Sequence, residues 1–207
     1  MKVRTEARRE AILEVARRVF LDVGFERASM SEIARQVGGS KATLYGYFAS
    51  KEALFVAASH AEGRQQLETT VADLGQLAAQ DLQAALLRLG EALVTFLSLP
   101  QTMAAMRMVL AEAGHSDVGR LFYEQGPGKG LAHTAETLHE AMSRGELRDA
   151  DPLIAAQHLH ALLSSELQPL WYQREQATPS ATQCEAMARR AVTVFMRGYA
   201  VDVTTPK

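Results

Sequence analysis

Cations and hydroxyl groups are concentrated between residues 41 and 51 of this chain of 207 residues. The segment carries two lysines, two tyrosines and a threonine, namely Lys41, Thr43, Tyr45, Tyr47 and Lys51. Ammonium and hydroxyl groups donate hydrogen bonds to phosphate oxygens, whereas contacts to base edges carry sequence information. Small residues between them would let a helix approach a base edge closely. The segment therefore predicts contact with a nucleic acid.

Helix caps on both sides of a glycine turn position these side chains. Ser29 and Glu32 have the spacing of a capping box, in which the two side chains satisfy free N–H groups at a helix start. Gly38-Gly39 then ends that helix, because glycine adopts the left-handed conformation common at helix C-termini. Ser40 and Ser50 can cap two further helices, whose first N–H groups are anion sites. This pattern predicts a helix-turn-helix, whose second helix fits the major groove of DNA; an ordinary helical hairpin with a solvated polar face is the alternative.

Charge is distributed unevenly along the chain. Residues 1–51 contain ten basic and six acidic residues, a net charge of +4, while the whole chain carries −2. The remainder therefore carries −6, so that a nearly neutral total conceals a basic N-terminal segment. A basic patch is the electrostatic footprint of a nucleic-acid-binding surface.

The pattern extends toward the N-terminus. Thr5 can cap a first helix whose apolar residues recur at helical spacing until Gly24 stops it. The positions that carry a family pattern are Ile12-Leu13-Glu14-Val15-Ala16-Arg17-Arg18-Val19-Phe20, Gly24-Phe25, Ser31-Glu32-Ile33-Ala34, Leu44-Tyr45, Tyr47-Phe48 and Ser50-Lys51-Glu52-Ala53-Leu54-Phe55. In this order and spacing, residues 4–56 resemble the tetracycline-repressor (TetR) family of bacterial transcriptional regulators. Gly39 departs from the family's pattern, which usually has an apolar residue there.

The resemblance implies a sequence-specific transcriptional regulator, more often a repressor than an activator. It would bind a near-palindromic operator in double-stranded DNA as a homodimer, under the control of a small-molecule effector. The DNA-contact positions that it implies are Met30, Ser40, Lys41, Ala42, Thr43, Tyr45, Gly46, Tyr47 and Lys51. Of these we expect Thr43, Tyr45 and Gly46 near bases, and Ser40, Lys41, Tyr47 and Lys51 near phosphates.

Composition is consistent with that architecture. Helix-forming residues dominate, and no run alternates β-branched residues, so we expect an all-α fold: a three-helix DNA-binding domain over residues 1–50 and a helical bundle over residues 51–207. The single cysteine, Cys184, excludes an internal disulfide and suits the cytoplasm. No secretion signal, membrane span, metal site or cofactor is predicted.

The last two helices are expected to form the dimer interface. Asp151-Pro152 starts one that we expect to run to about Arg174, and Ser180 starts the other. Both are apolar on more than one side, so that each needs more than one partner. The expected interface residues are Ala156, Leu159, Leu163, Leu167, Met187, Ala191, Val194 and Phe195, although burial in the protomer's own core would explain the same pattern.

An adaptable apolar pocket is expected in the C-terminal domain. Flexible methionine and flat aromatic side chains suit such a pocket. The candidate lining residues are Phe96, Met103, Met106, Leu110, Phe122 and Trp171, each of which could equally be plain core. Residues 126–130 are interpreted as a loop.

Two other classes of function remain as alternatives. One is an enzyme that uses the C-terminal bundle, and the other is a helical module that binds another protein. Neither accounts for the coincidence of the caps, the glycine turn and the basic segment.

Overall fold

The structure is a computed structural model, in which residues 5–59, 64–173 and 178–201 are described. The helices in these ranges are α1 (Glu6–Arg27), α2 (Met30–Val37), α3 (Lys41–Tyr47), α4 (Lys51–Ser59), α5 (Arg64–Ala78), α6 (Leu82–Ser98), α7 (Pro100–Glu112), α8 (Val118–Gln125), α9 (Pro127–Ser143), α10 (Pro152–Ser165), α11 (Gln168–Trp171) and α12 (Ala181–Tyr199). Within the described ranges, β-pairing is limited to one isolated bridge between Leu147 and Ala200. The all-α expectation is confirmed.

The chain forms two compact units. The head unit contains Met1–Glu62 and Gln101–Gln125, and the body unit contains Gly63–Pro100 and Gly126–Lys207. The head unit therefore includes α4, α7 and α8 in addition to the three helices expected from the sequence. The compact head unit is thus larger than the DNA-binding domain predicted over residues 1–50. That residues 1–50 alone carry DNA binding stays a prediction.

Local signals in the first 50 residues produce the expected elements of the head unit. The Thr5 side chain accepts a hydrogen bond from the Arg8 N–H at the start of α1. Gly24 has φ +79°, so that the helical path is interrupted there, as predicted. The Ser29 and Ser40 side chains cap α2 and α3, and Gly38, with φ +73°, ends α2 in the left-handed conformation. Of the predicted capping box only the serine half forms, since the Glu32 carboxylate accepts instead from Arg35 and Gln36.

Three phenylalanines organise the core of the head unit. Phe20 and Phe25 from α1 meet Phe55 from α4, with ring centroids 5.0 to 6.1 Å apart. Ile33 from α2 and Leu44 from α3 are also buried in this cluster. The two short helices are therefore held mainly by burial of one apolar stripe each, while their other faces are left to solvent.

Close helix packing characterises the body unit. A Cβ atom placed on Gly90 of α6 would lie 2.8 Å from Leu163 Cδ2 of α10 and 3.2 Å from Ala188 Cβ of α12. The absent side chain thus lets three helices approach one another. The Arg190 guanidinium on α12 also donates two hydrogen bonds to the Glu166 carboxylate just after α10, and this holds the pKa of Glu166 below its usual range.

A part-buried polar pair lies between α9 and α10 in the body unit. The Thr134 hydroxyl donates to the Gly130 carbonyl at 2.9 Å, so that it accepts from His160 Nε2 at 3.1 Å. Burial lowers the pKa of His160 to about 4. His160 is therefore a neutral imidazole near pH 7.

Two boundaries in the body unit differ from the sequence-based expectation. Residues 127–130 form the first turn of α9 rather than a loop, because Pro127 suits the first helical position. The helix that begins after Asp151 ends at Ser165 and is followed by the short α11, whereas a single helix to Arg174 was expected. Residue 174 itself lies outside the described residues.

In the described ranges, no single helix is both long and apolar enough to cross a membrane; α6 and α7 reach the required length and composition only when taken together.

Candidate nucleic-acid interface

The outer face of α3 is polar, small and accessible. Leu44 is buried beneath it, while Lys41, Ala42, Thr43 and Tyr45 are exposed. The predicted base-contact residues Thr43 and Tyr45 therefore lie on the solvent side of the second helix of the helix-turn-helix. This is the face that enters the major groove in such units.

Hydrogen bonds at the start of α3 hold its first turn. Ser40 Oγ accepts from the Thr43 N–H at 3.1 Å and lies 2.9 Å from Thr43 Oγ1. Lys41 Nζ lies 5.8 Å from the centroid of the Tyr45 ring, a weak cation–π contact. These contacts restrain side chains that remain exposed, which lowers the entropy cost of ordering them on a ligand.

Tyr47 links α3 to the start of α1. Its hydroxyl oxygen accepts a hydrogen bond from the Thr5 N–H at 3.3 Å, and its side chain is half-buried. The hydroxyl proton is left available for donation, for example to a phosphate oxygen. Half-buried Gly46, one residue earlier, adds no side chain to this surface.

Met30 does not belong to the accessible surface. Its side chain is only 5 % exposed and packs in the core of the head unit. The prediction that this side chain contacts DNA is wrong, since the first residue of α2 is buried in that core and does not face solvent. Met30 was predicted from the resemblance to the TetR family, and that resemblance does not show which side chains of α2 this chain buries.

Lys51 has a different environment from the one expected of a phosphate contact. Its Nζ donates to the Phe25 carbonyl at 2.9 Å and lies 3.4 Å from the carbonyl oxygens of Glu26 and Ala28. The same ammonium lies 4.2 Å from the centroid of the Phe25 ring. The charge thus stabilises the carbonyl-rich connection between α1 and α2, and the predicted phosphate contact would have to compete with these partners.

Several of the basic residues in the head unit are paired with acids. Arg35 donates two hydrogen bonds to Glu32, which lowers the pKa of Glu32 to about 2 and raises the pKa of Arg35. Arg9 and Arg17 also pair with glutamates of α1.

By contrast, among the described residues no carboxylate lies within ion-pair distance of Arg8 or Lys41. Both cations lie beside the turn of the helix-turn-helix, and within the described residues no carboxylate neutralises either charge.

Arg8 was not among the contact residues predicted from the sequence. Its Nη2 donates to the Gly38 carbonyl at 3.1 Å, so that the guanidinium of α1 lies over the turn between α2 and α3. A separation of 30 residues concealed this contact. The glycine at position 39, where the family usually has an apolar residue, was the signal in the sequence that could have indicated this contact. A position without a side chain leaves space that a distant residue can fill.

Candidate ligand-binding residues are divided between the two units. Phe96 and Trp171 belong to the body unit, whereas Met103, Met106, Leu110 and Phe122 belong to the head unit. Leu110 is 60 % exposed, and its place in the predicted apolar pocket stays a prediction. Phe122 packs against the core of the head unit.

A small, partly open pocket of the head unit is lined by residues of α1, α4 and α7. Its volume is about 20 Å³, and its lining includes Arg17, Phe55 and Met108. That volume holds roughly one water molecule and excludes a drug-sized ligand.

Most of the predicted dimer residues face inward. Six of them are buried in the core of the body unit, which corrects their assignment to an interface: Ala156, Leu159, Leu163, Leu167, Ala191 and Phe195. Met187 is half-buried against the same core. Val194 alone among the eight is exposed, at 54 %. Within the described parts of α10 and α12, the other large apolar residues on the surface are Leu153 and Ile154.

Two protein-family descriptions match this chain, and together they span most of its length. Residues 12–58 match the DNA-binding domain of the TetR family of bacterial regulatory proteins, and residues 84–201 match the C-terminal domain of AefR-like transcriptional repressors. The chain therefore belongs to the TetR family of transcriptional regulators. Its relatives are regulators and not enzymes.

Individual relatives support the same assignment. A protein of Mesorhizobium loti assigned to the TetR family is 27 % identical, with a TM-score of 0.79 over 97 % of this chain and 100 % of that structure. The flavonoid-responsive regulator FrrA is 27 % identical, with a TM-score of 0.71 over 96 % of this chain and 100 % of that structure. An uncharacterized HTH-type regulator of Mycobacterium tuberculosis is 45 % identical over 62 residues. That match spans 30 % of this chain and 31 % of the relative's length.

Proposed function

We propose that this protein is a homodimeric repressor that binds a near-palindromic DNA operator through α3 and is controlled by a small molecule. The observation that carries the proposal is the outer face of α3, where Thr43 and Tyr45 are exposed above a buried Leu44. An accessible polar face on the second helix of a capped helix-turn-helix is suited to reading base edges.

DNA recognition divides between two groups of residues. Thr43 and Tyr45, with Ala42 and Gly46 as small neighbours, are proposed to lie against bases. Ser40, Lys41 and Tyr47 are proposed to contact phosphates, since each has a donor on the accessible side. Lys51 is proposed to act indirectly, by fixing the connection between α1 and α2.

Dimerisation is proposed to use the outer faces of α10 and α12. Leu153, Ile154 and Val194 are between 43 and 54 % exposed. Large apolar side chains on neighbouring helices lose unfavourable contact with water when a second copy covers them. Two copies related by a two-fold axis would place two α3 helices on one duplex, and this geometry selects a near-palindrome.

Control by a small molecule is proposed from the likeness to a flavonoid-responsive regulator at 27 % identity. Half-buried Phe96, Met106 and Trp171 remain candidates for contact with an effector. An effector would release DNA only if it bound the DNA-incompetent conformation more tightly.

The decisive test is selection of duplexes from a random pool by the purified protein at about 150 mM salt, where non-specific phosphate binding is weakened. We expect enrichment of a near-palindromic sequence, and loss of that enrichment for Thr43→Ala together with Tyr45→Ala. Recovery of an unenriched pool by a folded protein, both alone and with a panel of flavonoids, would contradict the proposed function.

A further inference from the structure

The guanidinium of Arg8 lies at the edge of the proposed DNA-binding face. It is carried by α1, but it donates to the Gly38 carbonyl at 3.1 Å, in the turn that precedes α3. Arg8 is half-buried as a residue, and the hydrogen bond between its guanidinium and Gly38 is exposed to solvent. Arg8 is thus presented on the same side of the head unit as the start of α3.

Gly39 creates the space that this guanidinium occupies. A Cβ atom at Gly39 would lie 3.1 Å from Arg8 Nη2 and 4.0 Å from Thr43 Cβ. The space next to Gly39 is therefore bordered both by the Arg8 guanidinium and by Thr43, a residue of the exposed face of α3. The backbone of Gly39 does not need positive φ, so that conformation alone does not require glycine there.

Charge and hydrogen-bonding capacity are available at this position. Guanidinium has five N–H donors, and the contact with Gly38 uses one of them. Arg9 and Arg17 on the same helix are paired with glutamates, whereas within the described residues Arg8 has no carboxylate partner. A guanidinium that has no carboxylate partner and is held in place by a carbonyl is suited to bind a phosphate oxygen with its remaining donors.

We propose that Arg8 is a DNA-backbone contact, and that Gly39 is the residue that admits it to the interface. The inference rests on the proposed DNA binding and adds a specific contact to it. Arg8 would bind a phosphate beside the segment read by Thr43. Because phosphates carry no sequence information, the contact would raise affinity for all duplexes and orient α3 on them.

The test compares Arg8→Gln with wild type by fluorescence anisotropy on the selected duplex and on an unrelated duplex, across a series of potassium chloride concentrations. We expect roughly tenfold weaker binding to both duplexes, and a salt slope that falls by about 0.9 for one lost phosphate contact. Arg8→Lys should retain the slope, since it retains the charge. Thermal unfolding of each variant shows whether the fold is intact.

Arg18→Gln is the matched control. It removes one charge from the same helix, and it lies ten residues away, about 15 Å along the helix axis. Arg18 is already near Glu14 at 3.7 Å. Its loss should leave the salt slope at the wild-type value.

Gly39→Val tests the second half of the proposal. A Cβ at 3.1 Å from the flexible end of Arg8 forces a small shift, and the two methyl groups of valine force a larger one. We expect Gly39→Val to lower the salt slope of DNA binding as much as Arg8→Gln does, and Gly39→Ala to lower it less. The double variant Arg8→Gln/Gly39→Val should have the same salt slope as Arg8→Gln alone.

Two outcomes separate the possible failures. If wild type enriches a duplex while folded Arg8→Gln keeps the wild-type slope, Arg8 is structural and this inference is wrong, but the proposed function stands. If wild type binds all duplexes weakly and enriches none, the proposed function itself fails.

Discussion

The head unit and the body unit present their surfaces in different ways. In the head unit, short helices bury one apolar stripe each and expose polar residues such as Thr43 and Tyr45. In the body unit, α10 and α12 bury apolar residues on their inner sides and still expose Ile154 and Val194. In a helix with a single apolar face, the spacing of apolar residues in the sequence predicts which side is exposed. In a helix that is apolar on several sides, the same spacing does not predict the exposed side.

The difference also concerns polar groups. In the helix-turn-helix, caps and turns provide hydrogen-bond partners for backbone groups at the helix ends, and each partner lies within a few residues along the chain. The body unit instead encloses a pair from two helices, Thr134 and His160. Disruption in the head unit should therefore change DNA binding first, and disruption in the body unit should change stability first.

The largest expected effect is that of Leu159→Ala in the body unit. Leu159 is fully buried, so its truncation should lower the free energy of unfolding by about 2–5 kcal/mol. Urea denaturation at two protein concentrations measures the change and separates core loss from dimer loss. Val194→Ala is the exposed control and should change stability little. A dimer that dissociates while each Leu159→Ala protomer remains as stable as before would restore Leu159 to the interface.

Acid should weaken the body unit through His160. Its pKa is about 4 in the folded protein and about 6.5 when unfolded, so that only the unfolded chain gains this proton as pH falls from 6.5 to 4. The free energy of unfolding should therefore fall by roughly 3 kcal/mol across that window, a loss that is absent above pH 7. His160→Gln keeps a donor for Thr134 and removes the titration. If urea denaturation between pH 7 and 4 gives parallel profiles for both proteins, His160 is not the titrating group.

Ile154→Arg should separate dimerisation from folding. Placing a charge on the proposed interface should weaken the dimer by about 2 kcal/mol, or roughly 30-fold in Kd. Analytical ultracentrifugation measures the monomer fraction, and circular dichroism checks that each protomer is folded. Gln157→Arg, also exposed on α10, controls for added charge at a nearby position that carries no apolar side chain. An unchanged dimer would move the interface away from this part of α10.

Lys51→Gln and Lys41→Gln form the finest comparison within the head unit. Loss of the Lys51 contacts to the carbonyls of Phe25, Glu26 and Ala28 should cost about 1 kcal/mol of stability and leave the salt slope of DNA binding unchanged. Lys41→Gln should show the opposite pattern, a slope reduced by about 0.9 with unchanged stability. A reduced slope for Lys51→Gln would show that this ammonium leaves its carbonyl partners for a phosphate.

Sequence alone identified the helix-turn-helix and much of its accessible face. Ser29, Gly38 and Ser40 act through backbone groups no more than five residues away, so their roles can be read locally. Exposed Lys41, Thr43 and Tyr45 followed from the same register around buried Leu44. Met30 was misassigned because it was carried over from the family resemblance, which does not show that this chain buries its side chain.

Tertiary structure decided the matters that depend on distant partners. The sequence determined that α10 and α12 are apolar on several sides, but only packing against α6 shows that Leu159, Leu163 and Phe195 fill the protomer's core. Likewise Arg8 and Lys51 could be counted as cations from the sequence, while their carbonyl partners lie 30 and 23 to 26 residues away. Caps and periodicity are properties of neighbouring residues, whereas the face that a helix buries and the group that a long side chain reaches are set by elements remote in the chain.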